Sequence, residues 1–353
     1  MMNMSDVASR EGDTAPRSPQ MSYGSDASGL ICGYVFCPGG TSRAIDSAAA
    51  VEWLKVHPGA DHLGFIWLHF SLSNATAERW MNEHLSLPEH FFETLHEGTG
   101  STRVEHEADS LIAVINDVVF DFSYDASQIA AVWMCVQHNC VVSARMQPLR
   151  SVDRLRLAVR AGDCFATPVS LLVHLLRDQA DVLQKIERDS AFKVDGIEDK
   201  LLAGRLKTTR GTLGSLRRLF VRLRRLLAPE PASLFRLLNR PPTWFVGDDA
   251  RELREATEES SAVLNDIAAL QERTKLLQEE LTAHTTEQTN RSIFVLTIVT
   301  VLALPINIVT GLLGMNVGGI PMADSPHGFW LVLGVIFIFT FLAVWLVYRS
   351  QRE

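Results

Sequence analysis

Near the C-terminus, a long uncharged run is interrupted at regular intervals by small and polar residues. Thr300, Asn307, Gly311 and Gly314 are separated by seven, four and three positions, which places them on one face of a helix. An amide side chain inside a membrane costs free energy unless it faces water or a hydrogen-bonding partner. Small residues and Asn also serve helix–helix contacts. The stripe therefore predicts either a contact between helices or the lining of an aqueous path.

Two apolar runs must position this stripe. Residues 293–313 and 329–348 contain no charged side chain, and each run is long enough to cross a hydrocarbon core of about 30 Å as a helix. The whole chain is 47% hydrophobic and 21% charged with a net charge of −8, so its average composition resembles that of a soluble protein and hides these runs. Because two spans cannot enclose a pore, an aqueous path requires several copies of the chain.

The charges that flank the two runs predict the orientation of the chain. Arg291 precedes the first span, and Arg349 and Arg352 follow the second, whereas the connecting loop 314–328 contains neither Lys nor Arg. Positive residues are enriched on the cytoplasmic side of membrane spans. We therefore expect both termini to be cytoplasmic and the loop to face outward.

A second group of residues could bind a metal ion directly. Cys135, His138 and Cys140 offer ligand atoms that suit a soft metal. Their spacing matches no standard zinc arrangement, and their β-rich flanks predict a hairpin whose ends lie close together without a ligand. In a reducing compartment the five cysteines should be free thiols. The structural interpretation is favoured, and a metal site is the alternative.

The rest of the chain divides by composition. Residues 1–29 are rich in Ser, Gly, Asp and Pro and predict a disordered leader. Residues 30–166 predict a cytoplasmic α/β domain that contains no phosphate loop or nucleophile elbow. Its predicted strands are residues 64–70, 110–120 and 129–136, and its predicted helices are residues 75–87 and 88–96. The later predicted regions are cytoplasmic helices over 167–291, a transmembrane domain over 292–348 and a tail over 349–353.

A strongly basic stretch lies within these helices. Residues 205–240 contain ten Lys and Arg against the single acid Glu230. A nucleic-acid surface is one interpretation of such a run. The arginines alternate with Leu and Phe at helical spacing, however, which predicts an amphipathic helix with one solvated face. Anionic lipid headgroups or the acidic helix that follows are therefore the expected partners, and nucleic acid is not.

The stretch from 241 to 290 reverses the charge, with eleven acids against four bases. Its small and apolar residues recur at intervals of three and four, a heptad seam that predicts self-association. These residues are Val246, Ala250, Leu253, Ala256, Ser260, Val263, Ile267, Leu270, Thr274, Leu277 and Leu281. Neither Pro nor Gly occurs between residues 248 and 304, so a stalk helix over 246–291 should continue into the first span. Its excess acids, including Glu252, Glu255, Glu258 and Glu259, should concentrate cations.

The residues that follow the first span carry a family resemblance. The tripeptide Gly314-Met315-Asn316 lies between two C-terminal spans, and in this position it resembles the signature of the CorA metal-ion transporter superfamily. Residues 316–321, Asn-Val-Gly-Gly-Ile-Pro, are similar to the ZntB zinc-transporter branch. The paired-arginine run 216–231, which ends at proline, resembles a cytoplasmic helix of the same family.

The resemblance implies a fold and an assembly. It implies a homopentamer in the bacterial inner membrane, with an α/β/α cytoplasmic funnel, a long helix that lines the pore and a second span outside it. The protein would be a transporter of divalent metal ions, with zinc as the first expected substrate. It would not be an enzyme, and it would need no cofactor. Magnesium, cobalt or nickel transport is the alternative within the class, and a membrane-tethered sensor is the alternative outside it.

The resemblance also implies roles for individual residues. Five copies of Asn316 would present a ring of amide oxygens that holds a dication through its hydration waters, at a mouth formed with Gly314 and Met315. Polar pore positions would be Thr300 and Asn307, together with Gly311, and apolar constrictions would be Ile293, Leu296 and Leu304. The ZntB branch implies proton coupling, for which His327 in the outer loop is the nearest group of a residue type that titrates near neutral pH.

Overall fold

The computed structural model describes residues 24–37, 40–57, 64–98, 100, 102–107, 109–119, 128–204, 209–315 and 326–350. The chain separates into two compact units, which we describe one at a time. The sheet unit comprises Met1–Asp199 and Gly211–Thr274, and the C-terminal unit comprises Lys200–Arg210 and Lys275–Glu353.

Within the described residues, seven strands form one mixed sheet in the sheet unit. The strands are β1 (Leu30–Cys37), β2 (Thr41–Ile45), β3 (Phe65–Ser71), β4 (Arg103–Glu107), β5 (Ser110–Val118), β6 (Ile129–Val136) and β7 (Cys140–Arg145). Their order is β2-β1-β3-β7-β6-β5-β4. The pair β3 and β7 is parallel, and every other neighbouring pair is antiparallel. The three predicted strands correspond to β3, β5 and β6, and the second arm of the hairpin predicted at Cys135–Cys140 corresponds to β7. The sequence patterns of β1, β2 and β4 were too short or too mixed to indicate them separately.

The helices of the described chain follow in sequence order. They are α1 (Ser47–Val56), α2 (Ala77–His84), α3 (Glu89–His96), α4 (Arg150–Ala161), α5 (Pro168–Leu202), α6 (Thr209–Leu227), α7 (Pro229–Asn239), α8 (Asp249–Leu313) and α9 (Gly328–Ser350). The basic stretch 205–240 therefore contains two helices rather than one. The division falls at Pro229, which occupies the first turn of α7, where the absence of an N–H costs no hydrogen bond.

Helices cover the sheet on both faces, because β3, β5 and β6 are apolar on both sides. On one face, Ala50 of α1, Met81 of α2 and Phe91 of α3 belong to one core cluster. On the other face, α4, α5, α7 and the start of α8 contribute to a second cluster. The predicted α/β domain and the predicted long helix are thus confirmed.

A glycine immediately before β3 permits close packing at the sheet. Gly64 has a φ of +106°, and a Cβ atom at this position would lie 1.9 Å from the carbonyl oxygen of Phe36. Both facts exclude an ordinary side chain. Gly64 therefore lets β3 begin directly against β1.

The heptad seam of α8 is buried by the protein's own chain. From Leu253 to Leu281 every seam residue is at most 7% exposed. Arg273 of α8 forms ion pairs with Asp195 and Glu198 of α5, and Arg224 of α6 donates a hydrogen bond to Gln271 of α8. The seam is thus buried within the single chain, so it is not by itself evidence for a second copy, and the predicted self-association stays a prediction.

The first seam position was wrong. Val246 lies before the helix and is 56% exposed. The helix begins instead at Asp249, whose carboxylate accepts a hydrogen bond from the Val246 N–H at 2.9 Å and from the Thr167 hydroxyl at 2.6 Å. A buried carboxylate at this position satisfies backbone donors at the helix start.

Candidate functional site

The last part of α8 is an uncovered apolar helix. Among the described residues, α8 is the one helix long and apolar enough to cross a membrane, and its most apolar 18-residue window is 0% buried. The predicted first span, 293–313, lies inside it. In α9 the described apolar stretch Gly328–Leu342 is shorter, so the second span remains a prediction.

One face of this helix carries the predicted pore residues. All of them are exposed in the single chain: Ile293, Leu296, Thr300, Leu304, Asn307 and Gly311. At 100° per residue, these positions fall within an arc of about 80°. The Thr300 hydroxyl donates to the carbonyl of Leu296 at 2.9 Å, which leaves its oxygen lone pairs to face outward as hydrogen-bond acceptors. A second hydroxyl outside this arc, that of Thr310, donates to the carbonyl of Ile306 at 2.8 Å.

A proline interrupts the hydrogen bonds of the same helix. Pro305 lies inside α8 and has no N–H, so the carbonyl of Val301, four residues earlier, loses its intrahelical donor. In a hydrocarbon environment such an oxygen must find water or a polar partner. At 100° per residue, Val301 falls about 60° beyond Leu304, so this backbone acceptor lies on the same helix as the stripe but outside its arc.

The mouth residues lie at the boundary of the described chain. After Leu313 the helix ends, and the N–H of Gly314 donates to the carbonyl of Thr310 at 2.9 Å. Met315 is 47% exposed. Asn316 lies outside the described residues, and its predicted role stays a prediction. His327, just before α9, provides its backbone carbonyl to the N–H of Leu331 at 3.2 Å.

The four acids of the predicted cation-concentrating stalk have unequal surroundings. Glu258 and Glu259 are exposed and Glu252 is half-buried. Glu255 forms ion pairs with Arg251 at 2.7 Å and with Arg177 at 3.5 Å. The charge of Glu255 is therefore largely compensated within the sheet unit. The exposed charges of Glu258 and Glu259 can attract cations from the solvent.

The cysteine group forms a packed hairpin, as the favoured interpretation predicted. Cys135 in β6 and Cys140 in β7 are buried, and the N–H of Gln137 donates to the carbonyl of Cys140 at 2.8 Å. Burial raises the pKa of both thiols, to about 12 for Cys135, so both remain protonated at neutral pH. In the described part of the chain, no group of three or more His, Cys, Asp or Glu residues is placed to hold a metal ion, and the Cys135–His138–Cys140 metal alternative is not supported.

A mixed α/β unit and a long last helix with an uncovered apolar segment and a polar stripe fit the class of membrane proteins that carry a large N-terminal domain. Comparison with known proteins makes the class specific. A family model described as "CorA-like Mg2+ transporter protein" matches residues 62–349. The chain belongs to this family of ion transporters, and it is not an enzyme.

Individual relatives agree with this assignment. The divalent cation transporter CmaX of Pseudomonas aeruginosa is 32% identical over 93% of this chain and 97% of its own length. The zinc transport protein ZntB of Pectobacterium carotovorum is 26% identical over 81% of this chain and 87% of its own length.

Solved structures share the fold. The structure of full-length CmaX superposes with a TM-score of 0.76 at 30% identity, over 93% of this chain and 99% of that one. The CorA magnesium transporter of Methanocaldococcus jannaschii superposes with a TM-score of 0.69 at 18% identity, over 90% of this chain and 98% of that one. The second likeness concerns the fold alone.

Proposed function

We propose that the chain assembles as a homopentamer in the bacterial inner membrane and transports divalent metal ions, with zinc as its first substrate. The observation that carries this proposal is the exposed stripe on α8, in which Thr300, Asn307 and Gly311 share one face of an otherwise apolar helix. A polar stripe on a membrane helix is stabilised when it faces water. Five such stripes around an axis would line a hydrated path, with 329–348 as the outer span.

Neutral polar and apolar side chains would have different roles along this path. Thr300 and Asn307 offer neutral oxygens, which hold a dication through its water shell and release it more readily than carboxylates would. Ile293, Leu296 and Leu304 are exposed apolar residues on the same face, and rings of them would form dewetting constrictions. The path would end at the mouth formed by Gly314, Met315 and Asn316.

Asn316 provides the sharpest test of the transport proposal. If its amide holds hydrated metal, Asn316→Gly and Asn316→Ala should both abolish uptake while pentamers still form. If Asn316 only caps the end of the helix, Asn316→Gly should preserve transport, because Gly serves that role at least as well. Metal flux into proteoliposomes, measured beside the oligomer mass in mild detergent, separates the two outcomes. Wild-type flux in the Gly variant would end the proposal.

The preferred metal is a separate question. The ZntB relatives favour zinc, whereas the family description and the name of CmaX favour magnesium or divalent cations in general. The test compares the uptake of zinc with that of magnesium, cobalt and nickel, each in proteoliposomes that contain only this protein. Uptake of magnesium in preference to zinc would replace the zinc proposal with the alternative. The sensor alternative predicts no flux of any metal, and the transporter family argues against it.

The flanking charges and the outer loop complete the proposal. Arg291, Arg349 and Arg352 support cytoplasmic termini, so the sheet unit would face the cytoplasm. His327 is the proposed proton carrier if transport is coupled to protons, because histidine is the residue type that exchanges protons near neutral pH and His327 lies in the outer loop. Zinc uptake that is unchanged by an imposed pH gradient would remove this role.

A further inference from the structure

A buried cluster of carboxyl and amide groups lies in the sheet unit. Glu230 in the first turn of α7 is 2% exposed, Asp117 in β5 is 3% exposed and Gln179 in α5 is 1% exposed. Buried carboxylates ordinarily require charged partners or several hydrogen-bond donors. The hydrogen bonds around each group therefore decide in which protonation state the cluster is stable.

The two carboxyl groups differ in the donors that they receive. Asp117 accepts hydrogen bonds from the N–H of Val118 at 2.7 Å and from the N–H of Ser151 at 2.8 Å. Glu230 accepts one from the Gln179 amide at 3.0 Å and one from the Thr102 hydroxyl. Its neighbours in the chain, Pro229 and Pro231, have no N–H, so the usual backbone donors at a helix start are missing on both sides.

The amide group of Gln179 shows that one hydrogen-bond donor is missing from the cluster. Its nitrogen uses both protons, one on Glu230 and one on the carbonyl of Asn116 at 2.7 Å. Its oxygen is buried and has no donor within the described residues. A buried amide oxygen without a hydrogen-bond donor destabilises the folded state. A proton on the Glu230 carboxyl would supply the donor and would pair the acid with the amide through two hydrogen bonds.

We propose that Glu230, together with Asp117 and Gln179, forms a buried site that binds one proton, which Glu230 donates to the free oxygen of the Gln179 amide. The charged groups that face this site from the described residues are Asp117 itself and Arg150, whose charge acts on Asp117 from the start of α4. Gln179 and Thr102, on the other elements, are neutral. Releasing the proton would leave two negative charges in a dry core that joins the sheet to α5 and α7.

The electrostatics agree with this geometry. Burial raises the pKa of Glu230 to about 7, and the charge of Asp117 adds to the increase. Burial also raises the pKa of Asp117 to about 6. The folded chain thus keeps a proton that the unfolded chain, with an ordinary Glu pKa of 4.5, releases. The contribution of this group to stability should therefore fall as the pH rises from about 4.5 to about 7 and stay low above that.

The substitution Glu230→Gln tests the site because glutamine imitates the protonated acid and cannot ionise. At pH 5.5, where the wild type has lost only the smaller part of this contribution, we expect its unfolding temperature to lie only a few degrees below that of Glu230→Gln. At pH 8 the wild type should unfold roughly 5–10 °C lower. The control Glu52→Gln removes an acid that is 75% exposed on α1, and its difference from wild type should not change with pH. A Glu230→Gln difference that is the same at both pH values would overturn the proposal.

A measurement on the wild type alone keeps the proposal testable if the variant does not fold. Infrared spectra of the full-length protein should contain a protonated carboxyl band at pH 5.5 that disappears with a midpoint near 7. No such band would also overturn the proposal. Neither measurement depends on transport, so the proton-binding proposal can be overturned while the proposed transport function stands. Its biological meaning does rest on the proposed function, since it would let cytoplasmic pH act on the transporter through the sheet unit.

Discussion

Two stretches of α8 have the same three-and-four spacing and opposite surroundings. Between Leu253 and Thr274 the spaced residues are buried within the sheet unit. Between Ile293 and Gly311 they are all exposed. The spacing identifies which face of a helix requires cover, and it does not identify what covers that face. A seam is therefore evidence for oligomers only after the intramolecular partners have been counted.

The largest effect should come from the exposed stripe. Replacing Asn307 with Leu removes a polar oxygen from the proposed path without removing volume, so zinc flux in proteoliposomes should fall tenfold or more, by roughly 1.4 kcal/mol of barrier per factor of ten. The thermal stability of the sheet unit should not change. The control Val299→Leu alters an exposed residue outside the stripe and should keep its flux. Equal losses in both variants would show that the helix, and not the stripe, is being perturbed.

Substitutions in the buried seam should change the free energy of unfolding rather than the metal flux. Ile267 is 0% exposed and Ile293 is 56% exposed on the same helix, so the same substitution can be made in both settings. Ile267→Ala should cost roughly 2–5 kcal/mol of unfolding free energy, whereas Ile293→Ala should cost little in the isolated chain. Denaturant unfolding checks both values. A cost at Ile267 that depends on protein concentration would instead indicate a partner copy on the seam.

The smallest effect concerns the stalk acids. Neutralising Glu252, Glu258 and Glu259 together should lower metal flux a few-fold at low ionic strength and hardly at all at high salt, because exposed charges are screened beyond roughly 10 Å at 0.1 M salt. Adding Glu255→Gln should change the result little, since Arg251 and Arg177 already compensate that charge. Flux losses that are equal at both salt concentrations would argue against focusing of cations by this helix.

The sequence was most informative where one interaction dominates. An uncharged run and near-continuous apolar strands each have one physical solution, which explains why the apolar part of α8 and strands β3, β5 and β6 were predicted closely. Short strands such as β2 and β4 depend on partners distant in sequence, and their own patterns are weak. The burial of the α8 seam and of Glu230 likewise depends on neighbours that are distant in sequence. For Glu230, the flanking prolines were a usable signal within a run that otherwise suggested only positive charge.

The burial of Leu253 and Ala256 in the core of the sheet unit has a consequence for synthesis. All seven described strands precede residue 146, but the core that they form is closed by residues made about a hundred positions later. A chain emerging from the ribosome therefore cannot complete this core until α8 begins, only some forty residues before the apolar segment at 293. Folding of the soluble unit and delivery of the span to the membrane should consequently fall within seconds of each other, at elongation rates of about 5–20 residues per second. The helix that carries the proposed ion path therefore also determines when the sheet unit can finish folding.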